Sequence, residues 1–170
     1  MDPIIINHPG LNLAGYSIAT RMENGDNLRQ IPEFWGEYAD TLRQPLLAAL
    51  GRADAAEYGL IHDFDPDTGR FGYMIGMEYP QPLPLPPGCA QRRTPPAKYA
   101  VFTTKPAGSD AEFGQAIQGA WRYITQDWLP ASKQWEQAPL GAFERYDGRC
   151  APDQPQRQMD IYIPVQPRRR

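Results

Sequence analysis

Few residues in this chain are placed to do chemistry, and each is best weighed beside its plain structural alternative. His8 and His62 are the only histidines, and neither has a Cys or His at metal-ligand spacing. Asp63 follows His62 directly, but neighbours in a regular strand point to opposite faces, so an ordinary strand histidine is the expectation. Asp63, Asp65 and Asp67 alternate as in a calcium loop, yet Thr68 stands where the sharp-turn glycine belongs and Met74 where a bidentate glutamate is needed. A solvated hairpin turn is expected instead, and no metal or cofactor site is predicted. Cys89 and Cys150 lack a sequence-near base, so neither is expected to act as a nucleophile. No nucleophile elbow, P-loop or dinucleotide fingerprint occurs.

One carboxylate stands apart. Glu144 lies inside the strand-like run FERYD, where alternation places Glu144 and Tyr146 on one face and Phe143 and Arg145 on the other. If the first face lines a groove, a partly desolvated carboxylate costs several kcal/mol when uncompensated. An organic cation would supply the countercharge, and aromatic rings would add roughly 0.5–2 kcal/mol each through cation–π attraction. The alternative is that Glu144 faces water or pairs with Arg145, Arg149 or another surface base. Phe34, Trp35, Tyr58, Tyr73, Phe102, Trp121 and Tyr146 are candidate pocket walls, with Phe71 and Tyr99 beside them. Core packing is the competing role for each, since aromatics at helical or strand spacing are usually core.

These residues need elements to hold them. Leu11–Thr20 reads as a strand. Pro32 is expected in the first turn of a helix carrying the stripe Phe34, Trp35, Tyr38 and Leu42, divided at Pro45 and ended by Gly51. Tyr58–Phe64 and Arg70–Tyr79 flank a Pro/Asp/Gly turn and read as a hairpin. QPLPLPPG (Gln81–Gly88) reads as an extended connector between half-repeats of about 1–80 and 89–170. Then come a strand at Lys98–Lys105 and a helix at Ala111–Leu129 stopped by Pro130. Strands at Ala142–Asp147 and Met159–Val165 complete the second half. Strand–helix–strand–strand therefore occurs twice. The fold class is α+β: one domain of two such repeats about a pseudo-two-fold axis, with an antiparallel sheet and a ligand cleft between halves.

The bulk properties narrow the partners. Of 170 residues, 41% are hydrophobic and 11% aromatic, enough for a core without disulfide or metal. The net charge is -3 although Arg168, Arg169 and Arg170 end the chain, so the body before them is more acidic still. That argues against direct nucleic acid binding, which needs a basic face. No stretch reaches the ~20 apolar residues of a membrane span. With no signal peptide at Met1–Asp2–Pro3, a cytoplasmic protein with reduced thiols is expected. It would be a monomer or homodimer.

The stretches NLAGYSIAT, IPEFWGEY, YGLIHDFDPDTGRFGYMIGMEY, PAKYAVFTTK, AWRYITQDWLP, FERYD and MDIYIPV, in this order over nearly the whole chain, carry a resemblance. The sequence resembles the gyrase-inhibitor-like small-molecule-binding domain, the effector-binding domain of AraC-type transcription activators. The resemblance implies two strand–helix–strand–strand units with a ligand cleft, amphipathic and often cationic aromatic ligands, and a buried glutamate as countercharge at Glu144. Family activators carry a separate DNA-reading region of roughly a hundred residues, for which no length remains here. The expectation is a stand-alone drug- or effector-binding module like those on mobile gene cassettes. Two further functions known in the family stay open: hydrolysis of a reactive small molecule through a pocket glutamate, and a protein-interaction role restraining a topoisomerase.

Overall fold

A computed structural model describes residues 1–80, 82 and 84–169. Gln81 and Leu83 of the expected connector, and Arg170 of the arginine tail, lie outside the described residues. The chain is α+β and folds as two compact units, Leu11–Thr94 and Met1–Gly10 with Pro95–Arg170.

The unit Leu11–Thr94 contains strands β2 (Asn12–Arg21), β3 (Glu57–Asp65), β4 (Arg70–Glu78) and β5 (Ala90–Arg93) in the antiparallel order β3-β4-β2-β5. The hairpin reading of β3 and β4 agrees with the structure. Asp65 builds the turn, its carboxylate accepting from the Asp67 N–H and the Thr68 hydroxyl, while Gly69 supplies the positive φ of 68°. This turn chemistry occupies the carboxylate that a calcium loop would have used.

Helix α1 (Asp26–Glu37) runs into a π turn (Tyr38–Leu42) and then α2 (Arg43–Leu50). The helix starts earlier than expected, so Pro32 lies inside α1 rather than in its first turn. Pro45 does divide the helix. It has no N–H for the carbonyl four residues back and its ring crowds that carbonyl, and the wider π turn just before it absorbs the mismatch. Gly51, at φ 65°, closes α2 by donating its N–H to Ala48 and Leu47. The helical face and one sheet face share a core that includes Tyr38, Leu46, Tyr73 and Ile75. Full burial of each such aliphatic or aromatic side chain contributes about 1.5–3 kcal/mol.

The other unit holds β1 (Ile4–His8), β6 (Ala97–Thr103), β8 (Phe143–Tyr146) and β9 (Asp160–Pro167), in the antiparallel order β1-β6-β9-β8. A short β7 (Trp135–Gln137) pairs with the end of β9. Helix α3 (Asp110–Arg122), a π turn (Tyr123–Trp128) and α4 (Leu129–Ala131) follow β6. Ser109 caps α3 by accepting from the Glu112 N–H, and Glu112 reaches back to accept from the Gly108 N–H, a variant of the capping box. The chain order strand–helix–strand–strand thus recurs, β2-α1/α2-β3-β4 and β6-α3/α4-β8-β9, with a π turn ahead of a proline in each helix.

The residue groupings differ from the expected half-repeats at two places: residues 89–94, with β5, group with Leu11–Thr94, and residues 1–10 group with the C-terminal unit. Ile4–His8 pairs with β6 in register, Ile6 opposite Tyr99, so the first ten residues pack with the C-terminal unit. Periodicity does not reveal this strand, because it is short and ends at His8–Pro9–Gly10.

Candidate functional site

The site is built outward from β8. Glu144 lies opposite Ile161 of β9, and Ile161 lies opposite Phe102 of β6. Registered partners share a face, so Glu144, Ile161 and Phe102 line one side of this unit's sheet. The helical segment covers that side: Phe102 meets Trp128 edge-on at 5.0 Å and Tyr123 at 6.4 Å. Trp121, from the last turns of α3, donates its indole N–H to Glu144 Oε2 at 2.9 Å. Glu144 is 6% exposed, so its carboxyl group does not face water. Tyr146 is half-buried and follows Glu144 by two along β8. Phe102 is fully buried.

A carboxylate withdrawn from water needs hydrogen bonds to every oxygen it keeps charged. An indole N–H is a neutral donor, so it satisfies a lone pair without cancelling charge. The π turn starts two residues after Trp121. Such bulges re-aim side chains and recur at functional sites.

The opposite face of this sheet carries an aromatic cluster of which the sequence reading offers only Tyr99 as a pocket wall. Phe143 stacks on Tyr162 at 4.4 Å and 14°, and His8 and Tyr99 meet both rings edge-on at 5.1–6.2 Å. Alternation within FERYD and DIYIPV is the only available signal. The contribution of His8 requires the pairing of β1.

In the unit Leu11–Thr94, Phe34 and Tyr73 belong to the buried core and Trp35 packs against it. Trp35 donates its indole N–H to the Tyr73 hydroxyl at 2.9 Å. The two units thus share a motif, a helix tryptophan reaching a strand oxygen, with a phenol hydroxyl as acceptor in one and a carboxyl group in the other. Tyr58 is buried too, opposite Gly76 on β4, and alternation puts it on the sheet face away from Tyr73. The residues named from the sequence therefore fall into four places: Glu144 with Trp121, Phe102 and Tyr146; Phe34, Trp35, Phe71 and Tyr73 in the helix-side core; Tyr99 in the aromatic cluster of the opposite face; and Tyr58 apart from these.

The thiols sit far from reactivity. Burial raises the Cys89 thiol above its ordinary value and pushes Cys150 up to about 11, so both stay protonated near neutral pH. Among the described residues, no cluster of His, Cys, Asp and Glu has a metal-holding arrangement, and no helix is long and apolar enough to cross a membrane.

Known proteins share this architecture. SAV2435, solved bound to tetraphenylphosphonium, superposes with a TM-score of 0.73 at 18% identity over 98% of this chain and 94% of its own. The integron cassette protein Cass2 from the mobile metagenome of Vibrio cholerae gives 0.70 at 18% identity over 97% and 96%. These likenesses establish the shared fold. The transcriptional regulator BrlR of Pseudomonas aeruginosa is 33% identical over 99 residues, which is 58% of this chain but only 34% of the regulator's length. The family described as Cass2, integron-associated effector binding protein, matches residues 4–165. The chain therefore belongs to the family of integron-associated effector binding proteins.

Proposed function

We propose that this effector-binding protein takes up a small amphipathic organic cation with aromatic groups, and that Glu144 is its countercharge. The observation that carries the reading is the Glu144 carboxylate, 6% exposed on β8 and held at 2.9 Å by the neutral indole of Trp121. A diffuse cation such as a phosphonium or quaternary ammonium is weakly hydrated and loses little on leaving water. A carboxylate in a low-dielectric setting attracts it more strongly than the same group in solvent. The Trp121 ring, half-buried beside that carboxylate, offers a π face that adds to the attraction. The structure of SAV2435 with tetraphenylphosphonium, on the same fold, supports this ligand class. No covalent step is part of the reading.

Titration of tetraphenylphosphonium against intrinsic tryptophan fluorescence tests it. Saturable quenching with a Kd near micromolar, about -8 kcal/mol, is expected, with the response carried by Trp121 and lost in Trp121→Phe. A strictly linear, unsaturated response in the wild-type protein, matching that of free tryptophan, would remove the proposal.

A further inference from the structure

A second constellation lies wholly within the unit Leu11–Thr94, and the effector reading does not use it. The Ser17 hydroxyl is 3.1 Å from His62 Nε2, and His62 Nδ1 is 2.7 Å from Asp63 Oδ2. Arg92 donates to the same Asp63 oxygen at 2.8 Å. Serine, imidazole and carboxylate are thus joined in the order that nucleophilic acyl transfer requires.

The arrangement depends on three backbone features. Ser17 and His62 stand on β2 and β3, the two strands flanking β4, with Gly72 directly opposite His62. A Cβ at Gly72 would come within 2.0 Å of the His62 ring. The missing side chain is therefore what lets the imidazole lie across β4 and reach β2. Asp63 has a positive φ of 52° where the β3–β4 register shifts between His62 and Asp65. This irregularity overturns the alternation argument: it turns the Asp63 carboxylate back toward its own neighbour instead of to the opposite face.

Proton positions follow from the partners. The hydrogen bond from His62, and after it the Arg92 cation, hold the Asp63 carboxyl below the usual carboxylate range. Asp63 is therefore an acceptor, and Nδ1 must carry the proton. Burial lowers the His62 imidazole below its ordinary value, against the pull of Asp63, so the ring is neutral near pH 7. Nε2 is then a lone-pair acceptor, and Ser17 Oγ must donate to it. Ser17 is exposed and, with His62, Asp63 and Arg70, lines a shallow, open recess.

We infer that Ser17, with His62 as general base and Asp63 fixing the tautomer, is a nucleophile toward small activated aryl esters. Ser17 Oγ bonds to the acyl carbon as its proton passes to His62 Nε2. The tetrahedral adduct then breaks the ester C–O bond and releases the aryl oxide, and the imidazolium gives up its proton to that oxide or to water. Deacylation runs the same path with water: His62 takes a water proton, the remaining hydroxide adds to the acyl carbon, and Ser17 leaves reprotonated with release of the carboxylic acid.

The test is p-nitrophenyl acetate with the full chain, reading p-nitrophenolate release and mapping acetylation by peptide mass spectrometry. One acetyl group on Ser17 is expected, with release falling about 100-fold in Ser17→Ala, on the scale of general-base catalysis. Asp63→Asn keeps the shape but donates to Nδ1, moving the ring proton to Nε2, and should cut acylation at least tenfold at unchanged melting temperature. The wild-type rate should fall only at pH below the ordinary imidazole value, as His62, its pKa lowered by burial and the ring facing Asp63 and Arg92, takes a proton. Unchanged release in Ser17→Ala, acetyl found only on lysines or His62, or an Asp63→Asn protein as fast as wild type would each overturn the inference.

Discussion

At the scale of single residues, Glu144 and Trp121 show how one hydrogen bond sets both a cost and a use. Removing the indole N–H by Trp121→Phe leaves a buried carboxylate oxygen without that donor. Such a loss costs about 1–3 kcal/mol, so urea unfolding of this variant should show a lower midpoint at an unchanged slope. Asp147 gives a separate expectation with a defined sign. Hydrogen bonds from Arg149, supported by the Arg149 and Arg145 charges, hold its carboxyl below the ordinary value, with Arg145 Nη1 at 2.6 Å and Arg149 Nε at 2.9 Å. In the unfolded chain this group titrates near 3.9, so the unfolded state takes up the proton first as pH falls. The stabilisation is complete above that value and is lost below it as pH drops through the lowered folded pKa. Melting temperatures from pH 6 to pH 2.5 should therefore fall less steeply in Asp147→Asn than in wild type, from a lower starting point.

At the scale of elements, the sequence is most legible where periodicity and turn chemistry agree. The β3–β4 hairpin, the Gly51 stop and the strands carrying YAVFTT and IYIPV follow from local pattern. It is least legible where a local rule is broken by tertiary partners. Pro32 sits inside α1, and Asp63 shares a side with His62 because of one left-handed residue at a register shift. The short strands β1, β5 and β7 escape a sequence reading because each is defined by its pairing partner and not by its own pattern. Gly72 makes an element-level prediction. Gly72→Ala brings a methyl group against the His62 ring, and overpacking of this kind costs about 1–3 kcal/mol. The His62 ring resonances should shift as it is expelled from Ser17, whereas an alanine accommodated without change in stability or ring environment would contradict the packing described.

At the scale of the whole molecule, the repeated chain order and the net acidic composition are readable from the sequence. The buried state of Glu144 is not readable, because alternation names a face without saying what covers it. That answer comes from the register of β8 on β9 and the reach of Trp121. The most direct measurement is calorimetric titration of wild-type and Glu144→Gln protein with tetraphenylphosphonium and with neutral triphenylphosphine oxide. Loss of the countercharge should weaken the cation by about 10- to 100-fold, or roughly 1.4–2.8 kcal/mol, while the neutral compound changes by less than about threefold. Equal affinity of the two proteins for the cation would contradict the account.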